Sequence, residues 1–261
     1  MELEINKTRN LAMRMPALAV MFMLFGASVA AADELLIAAT TSMADAVREL
    51  IAAYKNVYPQ VKLRVVGGAS GTLARQIDQG LAADVYLPAD VRWAEWLVQR
   101  QPTAAHSVQP WVGNRLVVVG RGRRRPQDIT ELNDLRRIAL AAPGSAPAGM
   151  YAREALIAAG VWDELNHRGQ LVFAKDARQA LLYAERGEVD AAIVYGSDAL
   201  AARHVTVYFV VPAVLYPRII YPVVLLRADA APAAVQEFVA WLFTPEARAV
   251  LQQRGFEEVD L

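Results

Sequence analysis

The chain of 261 residues contains no cysteine. That absence excludes a disulfide framework, a thiolate metal site and a thiol nucleophile, and it is compatible with an oxidising compartment. Histidine is nearly as scarce. His106, His167 and His204 stand far apart, and none falls in a His-Glu-x-x-His pattern. Net charge is also missing: 27 Lys and Arg balance 27 Asp and Glu, so no basic surface points to nucleic acid. The run Arg121–Arg125 is too short for such a footprint and reads as a solvated turn. No glycine loop is followed by Gly-Lys-Ser/Thr, which rules out a phosphate-binding P-loop. There is no long Gly/Ser linker and no sequence-level repeat. Beyond Val29, no apolar run approaches membrane-spanning length.

What is present is apolar material, 55% of the chain, enough for one large or two modest α/β units. The first 32 residues are set apart. Lys7, Arg9 and Arg14 form a positive segment, and Pro16 to Val29 is an apolar run of about 14 residues, short for a span. Ala30-Ala31-Ala32 offers the small residues of a cleavage site before Asp33. Residues 1–32 are therefore expected to be a signal peptide, and the mature chain, near −1 in charge, an exported protein in the periplasm.

In the mature chain, buried strands alternate with helices. Leu36–Ala39 is apolar without alternation, as in a strand covered on both faces. Ser42 stands where a helix N-cap would stand, with Asp45 three residues on. Val61–Val66 is a second strand, broken by Gly67–Thr72 before a helix carrying Leu73, Ile77 and Leu81. Ala83–Pro88 is a third, with Asp90 capping the next helix. Gly113–Val119 reads as one strong strand. A second β-α run follows: a strand within 135–142 with Pro147 in the first turn of its helix, strand 171–174 with Asp176 capping 177–186, and strand 189–195 ending at Tyr195. Strands 205–211 and 219–226 and helices 232–243 and 245–253 complete the chain. The order predicts an α/β protein of two lobes, each a mainly parallel sheet flanked by helices, with a ligand cleft between. The expected bounds are 33–112 and 223–261 for lobe 1 and 113–222 for lobe 2. The crossings fall at 111–116 and 220–224.

Five stretches then share one position. Ser42, Ser70, Ala148, Ala177 and Tyr195 all fall at carboxyl ends of predicted strands, the edge where open α/β sheets bind ligands. Ser42, Ser70 and Tyr195 bring hydroxyls; Ala148 and Ala177 bring only backbone N–H groups at helix starts. None brings a positive charge. Donors fixed at helix N-termini suit a fully ionised oxyanion, whereas hydrogen phosphate needs an acceptor for its proton.

The blocks Ala38-Ala-Thr-Thr-Ser42, Ser70-Gly-Thr-Leu-Ala-Arg-Gln-Ile77, Ala83-Asp-Val-Tyr-Leu-Pro-Ala-Asp90, Gly113-Asn-Arg-Leu-Val-Val-Val119, Pro147-Ala-Gly-Met-Tyr-Ala152 and Ile193-Val-Tyr-Gly-Ser-Asp198 together resemble the periplasmic molybdate-binding proteins of ABC importers. The resemblance runs in order through 33–261. It implies a type II two-lobed binding fold, a monomer without cofactor or catalysis, that closes on molybdate or tungstate and presents it to a membrane permease. Carried over by position, it implies ligands at Ser42 and Ser70 (hydroxyl and N–H), Ala148 and Ala177 (N–H) and Tyr195 (hydroxyl). The oxyanion would be held through its oxygens. The chain departs from the pattern in Thr40-Thr41, in Gly71 where serine is common, and in Ala177 where valine is frequent. Thr41 is thereby a candidate extra ligand.

Other readings stay open. Sulfate is a tetrahedral dianion that the same donors would suit, and only cavity size separates it from molybdate. A serine hydrolase built on Ser42 or Ser70 lacks support: Gly68-Ala-Ser70-Gly71 continues with Thr72 rather than the glycine of a nucleophile elbow. A receptor domain feeding a membrane sensor would use the same fold. Asp84 and Asp90 are not needed as paired carboxylates, since Asp90 reads as a cap. Trp93, Trp96, Trp111, Trp162 and Trp241 read as packing residues.

Overall fold

A computed structural model describes residues 34–100, 108–226 and 231–259. The expected signal peptide and His106 lie outside them. Two mixed sheets carry the fold. The first contains β1 (Glu34–Thr40), β2 (Lys62–Gly68), β3 (Val85–Leu87), β4 (Val108–Asn114), β10 (Ile219–Leu225) and β11 (Glu257–Glu258), in the order β11-β4-β10-β3-β1-β2. The second contains β5 (Leu116–Gly120), β6 (Ile138–Ala141), β7 (Leu171–Ala174), β8 (Ala191–Tyr195) and β9 (Thr206–Val210), in the order β7-β6-β8-β5-β9. The helices are α1 (Ala44–Val57), α2 (Ser70–Asp78), α3 (Val91–Arg100), α4 (Pro147–Ala158), α5 (Trp162–His167), α6 (Ala177–Arg186), α7 (Gly196–Ala201), α8 (Ala233–Leu242) and α9 (Pro245–Gln253). No helix among the described residues is long and apolar enough to cross a membrane.

The two sheets repeat one plan. In each, the first strand of the β-α run lies between the second and third, giving the parallel trios β2-β1-β3 and β7-β6-β8. Each trio continues into antiparallel strands, β10 and β4 in one sheet and β5 and β9 in the other. The period-2 alternation of a strand divides the core between faces. Leu35 and Ile37 of β1 pack with Val47, Leu50 and Tyr54 of α1 and with Phe238 and Leu251 of α8 and α9, while Ala38 and Tyr86 pack with Leu73, Ile77 and Leu97 of α2 and α3. In the second sheet, Ile138, Leu140 and Ile193 face α4 and α5, and Ala139, Ala192 and Val194 face Ala180, Leu181 and Ala184 of α6.

The predicted strand 113–119 is two strands. Asn114 Oδ1 accepts the N–H of Arg115 (2.9 Å), so the chain leaves the first ladder there and Leu116 begins the second. The return lies between Val210 and Ile219, earlier than the expected 220–224. β10 belongs wholly to the first sheet, and Pro222, which has no N–H to give, is absorbed by a register shift between Tyr221 and Pro222. By sheet membership, Gly113, Asn114 and 219–222 thus go with the first sheet. Residues 162–167 form a helix that the sequence pattern did not predict.

Two glycines allow the close approaches that set the strand-end loops. A Cβ on Gly149 would lie 1.9 Å from the carbonyl oxygen of Ala141, so the first turn of α4 rests directly on the end of β6. A Cβ on Gly71 would lie 2.3 Å from the Trp93 ring, so a side chain there requires that ring to move. Gly71→Ser is expected to lower stability by about 1–3 kcal/mol, as overpacking does. Urea unfolding checks it; an unchanged midpoint would mean that the Trp93 ring moves aside at no cost.

Candidate anion-binding site

Every parallel strand of both trios ends at one place. Thr40, Thr41 and Ser42 follow β1, Ala69 follows β2, and Ala89 follows β3; Ala146, Pro147 and Ala148 follow β6, Asp176 and Ala177 follow β7, and Tyr195 ends β8. Together they line a cavity of about 10 Å³, barely the room that one water needs. Four of the five predicted donors, Ser42, Ala148, Ala177 and Tyr195, line it, as does the additional candidate Thr41. Ser70 is fully buried one residue behind Ala69, and its Oγ accepts the N–H of Ala89 (3.0 Å), leaving its own hydrogen free to donate. Its carbonyl accepts from the Tyr86 hydroxyl (2.7 Å).

The donors are fixed by helix starts. Ser70 and Ala177 are the first residues of α2 and α6, and Ala148 is the second of α4 behind Pro147; N–H groups at these positions have no intrahelical acceptor. Asp176 caps α6 as expected, accepting the N–H of Gln179 (2.8 Å), so the one carboxylate on the cavity wall already has a donor. Ser42 is not the cap its sequence position suggested. Residues Thr41–Met43 form a 3-10 turn ahead of α1, without a side-chain cap, and this turn swings Ser42 inward. Its Oγ lies 3.2 Å from the hydroxyl of Tyr221.

Tyr221 and Asn114 were missed in the sequence. Asn114 Nδ2 donates to Ser197 Oγ (2.8 Å) and to the Tyr221 hydroxyl (3.3 Å), so both crossing strands are tied to the strand-end residue Ser42. Both lie inside strand patterns, and only the alternation of buried positions in β10 would have pointed Tyr221 inward. The Tyr195 and Tyr221 rings meet edge to face at 5.7 Å. Burial above all raises both phenols well above their ordinary range, so both stay protonated donors. The Tyr195 hydroxyl is buried and has no hydrogen-bond partner among the described residues. His167 and His204 are exposed, and no group of three metal-ligating side chains occurs among the described residues. Trp111 and Trp241 are buried packing residues, the former donating Nε1–H to the Leu242 carbonyl.

The sheets are drawn together over the cavity. Gly71 N–H donates to the Ser145 carbonyl (3.1 Å), Arg92 pairs with Glu154 (2.7 Å) and Arg178 with Asp45 (2.5 Å), each between elements of different sheets.

Asp198, on α7, is buried, with neither carboxyl oxygen hydrogen-bonded among the described residues. Burial pushes its carboxyl up to about 7; the Arg178 guanidinium opposes the rise, and the carboxylates of Asp176 and Asp45 add to it. The unfolded group titrates near about 3.9, so the folded state binds more protons between the two values. This contribution to stability is greatest below the unfolded value and declines as pH rises toward about 7. Asp198→Asn is expected to flatten that decline and to be more stable than the parent by a few kcal/mol at about pH 8, and by less at about pH 5. Urea unfolding at both pH values tests this; a difference independent of pH would show that Asp198 ionises freely in the fold.

Comparison with known proteins places this geometry. Residues 35–257 match the family described as bacterial extracellular solute-binding protein. The molybdate-binding protein ModA of Escherichia coli (strain K12) is 32% identical over 248 residues, covering 91% of this chain and 94% of that protein. Among solved structures, the periplasmic molybdate-binding protein of Azotobacter vinelandii superposes with a TM-score of 0.78 at 22% identity, over 87% of this chain and all of that one. The sulfate-binding protein SubI of Mycobacterium tuberculosis H37Rv superposes with a TM-score of 0.70 at 16% identity, over 87% of each chain. With its two repeated sheets, its strand-end cavity and a family match across nearly all described residues, the chain belongs to the bacterial extracellular solute-binding proteins.

Proposed function

We propose that the chain is an exported, periplasmic receptor that captures molybdate, and tungstate with it, between its two lobes and delivers it to the permease of an ABC importer. The proposed ligands are Ser42, Ser70, Ala148, Ala177 and Tyr195, with Thr41 beside them. One observation carries the reading: hydroxyl and N–H groups at the ends of β1, β6, β7 and β8 converge on one cavity, with Ser70 buried behind Ala69, and the wall has no lysine or arginine among the described residues. Preset dipoles of this kind hold a dianion without a counter-ion, and closure of the lobes strengthens them by excluding water. Seating a tetrahedral oxyanion in so small a cavity requires the lobes to part and settle on it, which is the hinge motion that the two strand crossings permit. The relative ModA, named for molybdate binding and aligned over nearly its full length, supports molybdate over other oxyanions of this shape. Hydrogen phosphate is disfavoured, because leaving its proton unpaired costs roughly 1–3 kcal/mol.

Calorimetric titration of residues 33–261 with molybdate, tungstate, sulfate and phosphate is expected to give tight binding of the first two and weak or no binding of phosphate. Tight binding of sulfate with none of molybdate would overturn the specific reading. Tyr195→Phe is expected to weaken molybdate binding by about 1–3 kcal/mol, the range for leaving a buried partner unsatisfied. Unchanged affinity would remove Tyr195 from the ligand set.

A further inference from the structure

A second, wider cavity of about 510 Å³ adjoins the anion cavity, and the two share Thr41 and Asp176 on their walls. Asp45, Arg178 and Asp198 also line the wider one. Arg178 stands in the first turn of α6, after a strand of the second sheet; Asp45 stands in the first turn of α1, after a strand of the first. The guanidinium Nη2 lies 2.5 Å from Asp45 Oδ2, so this ion pair spans the two lobes beside the site. Asp45 is further held by Arg48 of its own helix. Arg178 also faces the carboxyls of Asp198 and Asp176, so it offsets acidic groups close to where a dianion is to sit.

We propose that Arg178 and Asp45 form a latch that closes the wider cavity over the anion site and sets the rate at which the bound oxyanion escapes. Arg178 is here a positioning residue, not a ligand: it lines the wider cavity and is absent from the wall of the smaller one. The proposal rests on the oxyanion reading above. Its physical basis is that the pair exists only while the lobes are together, so its energy counts toward the closed state alone. Fully exposed ion pairs contribute little, but these side chains are only 41% and 29% exposed, which lessens screening. Arg178 has a second effect as well. Without it, the carboxylates of Asp45 and Asp176 would be less fully offset close to the dianion.

Release is read by loading the protein with radiolabelled molybdate at low salt and chasing with excess unlabelled molybdate. Asp45→Asn, an isosteric change at a partly exposed position, is expected to speed release roughly three- to fivefold. Arg178→Gln is expected to speed it at least as much. The double variant should release no faster than Arg178→Gln alone, because each substitution removes the same interaction. Wild-type retention of label with release unchanged in both single variants overturns the latch while leaving the oxyanion reading intact. Multiplication of the two single effects in the double variant also overturns it. Failure of the wild-type chain to retain label at all, with no heat of binding in calorimetry, overturns the oxyanion reading and the latch together.

Discussion

On the proposed function, holding a dianion out of water without a positive ligand is the constraint around which the molecule is arranged. A buried charge is tolerated only if it is paired or well hydrogen-bonded, and helix starts are a ready source of unpaired backbone N–H groups. A single helix start offers a few such groups, all on one side of the anion. The repeated β-α plan solves the geometry. Two parallel trios, β2-β1-β3 and β7-β6-β8, each bring three strand ends to one edge, and the edges face one another. Glycine at 149 and at 71 permits the close packing that this demands of the strand-end loops.

The same constraint explains where the cations are. Arginines stand near the site but are matched by acids: Arg92 with Asp90 and Glu154, Arg178 with Asp45. The cavity wall carries neutral donors and no arginine among the described residues, while these ion pairs join elements of the two sheets. The crossing strands join this arrangement through Asn114, Tyr221 and Ser42, a chain of hydrogen bonds running from the place where the backbone changes sheets to the wall of the cavity. Asp198 sits near this network at the expense of stability, since burial resists its ionisation.

Much of the fold was legible along the chain. Apolar strands, capped helices at Asp90 and Asp176, and Pro147 at the head of α4 are local features, and local chemistry dictates them. Two positions depart from that pattern, the first for a local reason and the second for a tertiary one. Asn114 ends a strand that its apolar neighbours seem to continue, because its side chain takes the next N–H. Ser42 reads as a cap, but a 3-10 turn and the hydroxyl of Tyr221, 179 residues away, turn it to the interior.

The sequence by itself determined the α/β alternation, the strand-end position of Ser42, Ser70, Ala148, Ala177 and Tyr195, and the lack of cysteine and of net charge. Only the tertiary structure decided that Ser42, Ala148, Ala177 and Tyr195 share one cavity, that Ser70 is buried behind Ala69 with its Oγ on the Ala89 N–H, and that Tyr221 and Asn114 are hydrogen-bonded in a chain to Ser42. The physical reason is range. Helix caps, strand alternation and proline act within a few residues, whereas the meeting of six strand ends depends on how two sheets pack, which no short stretch of chain encodes.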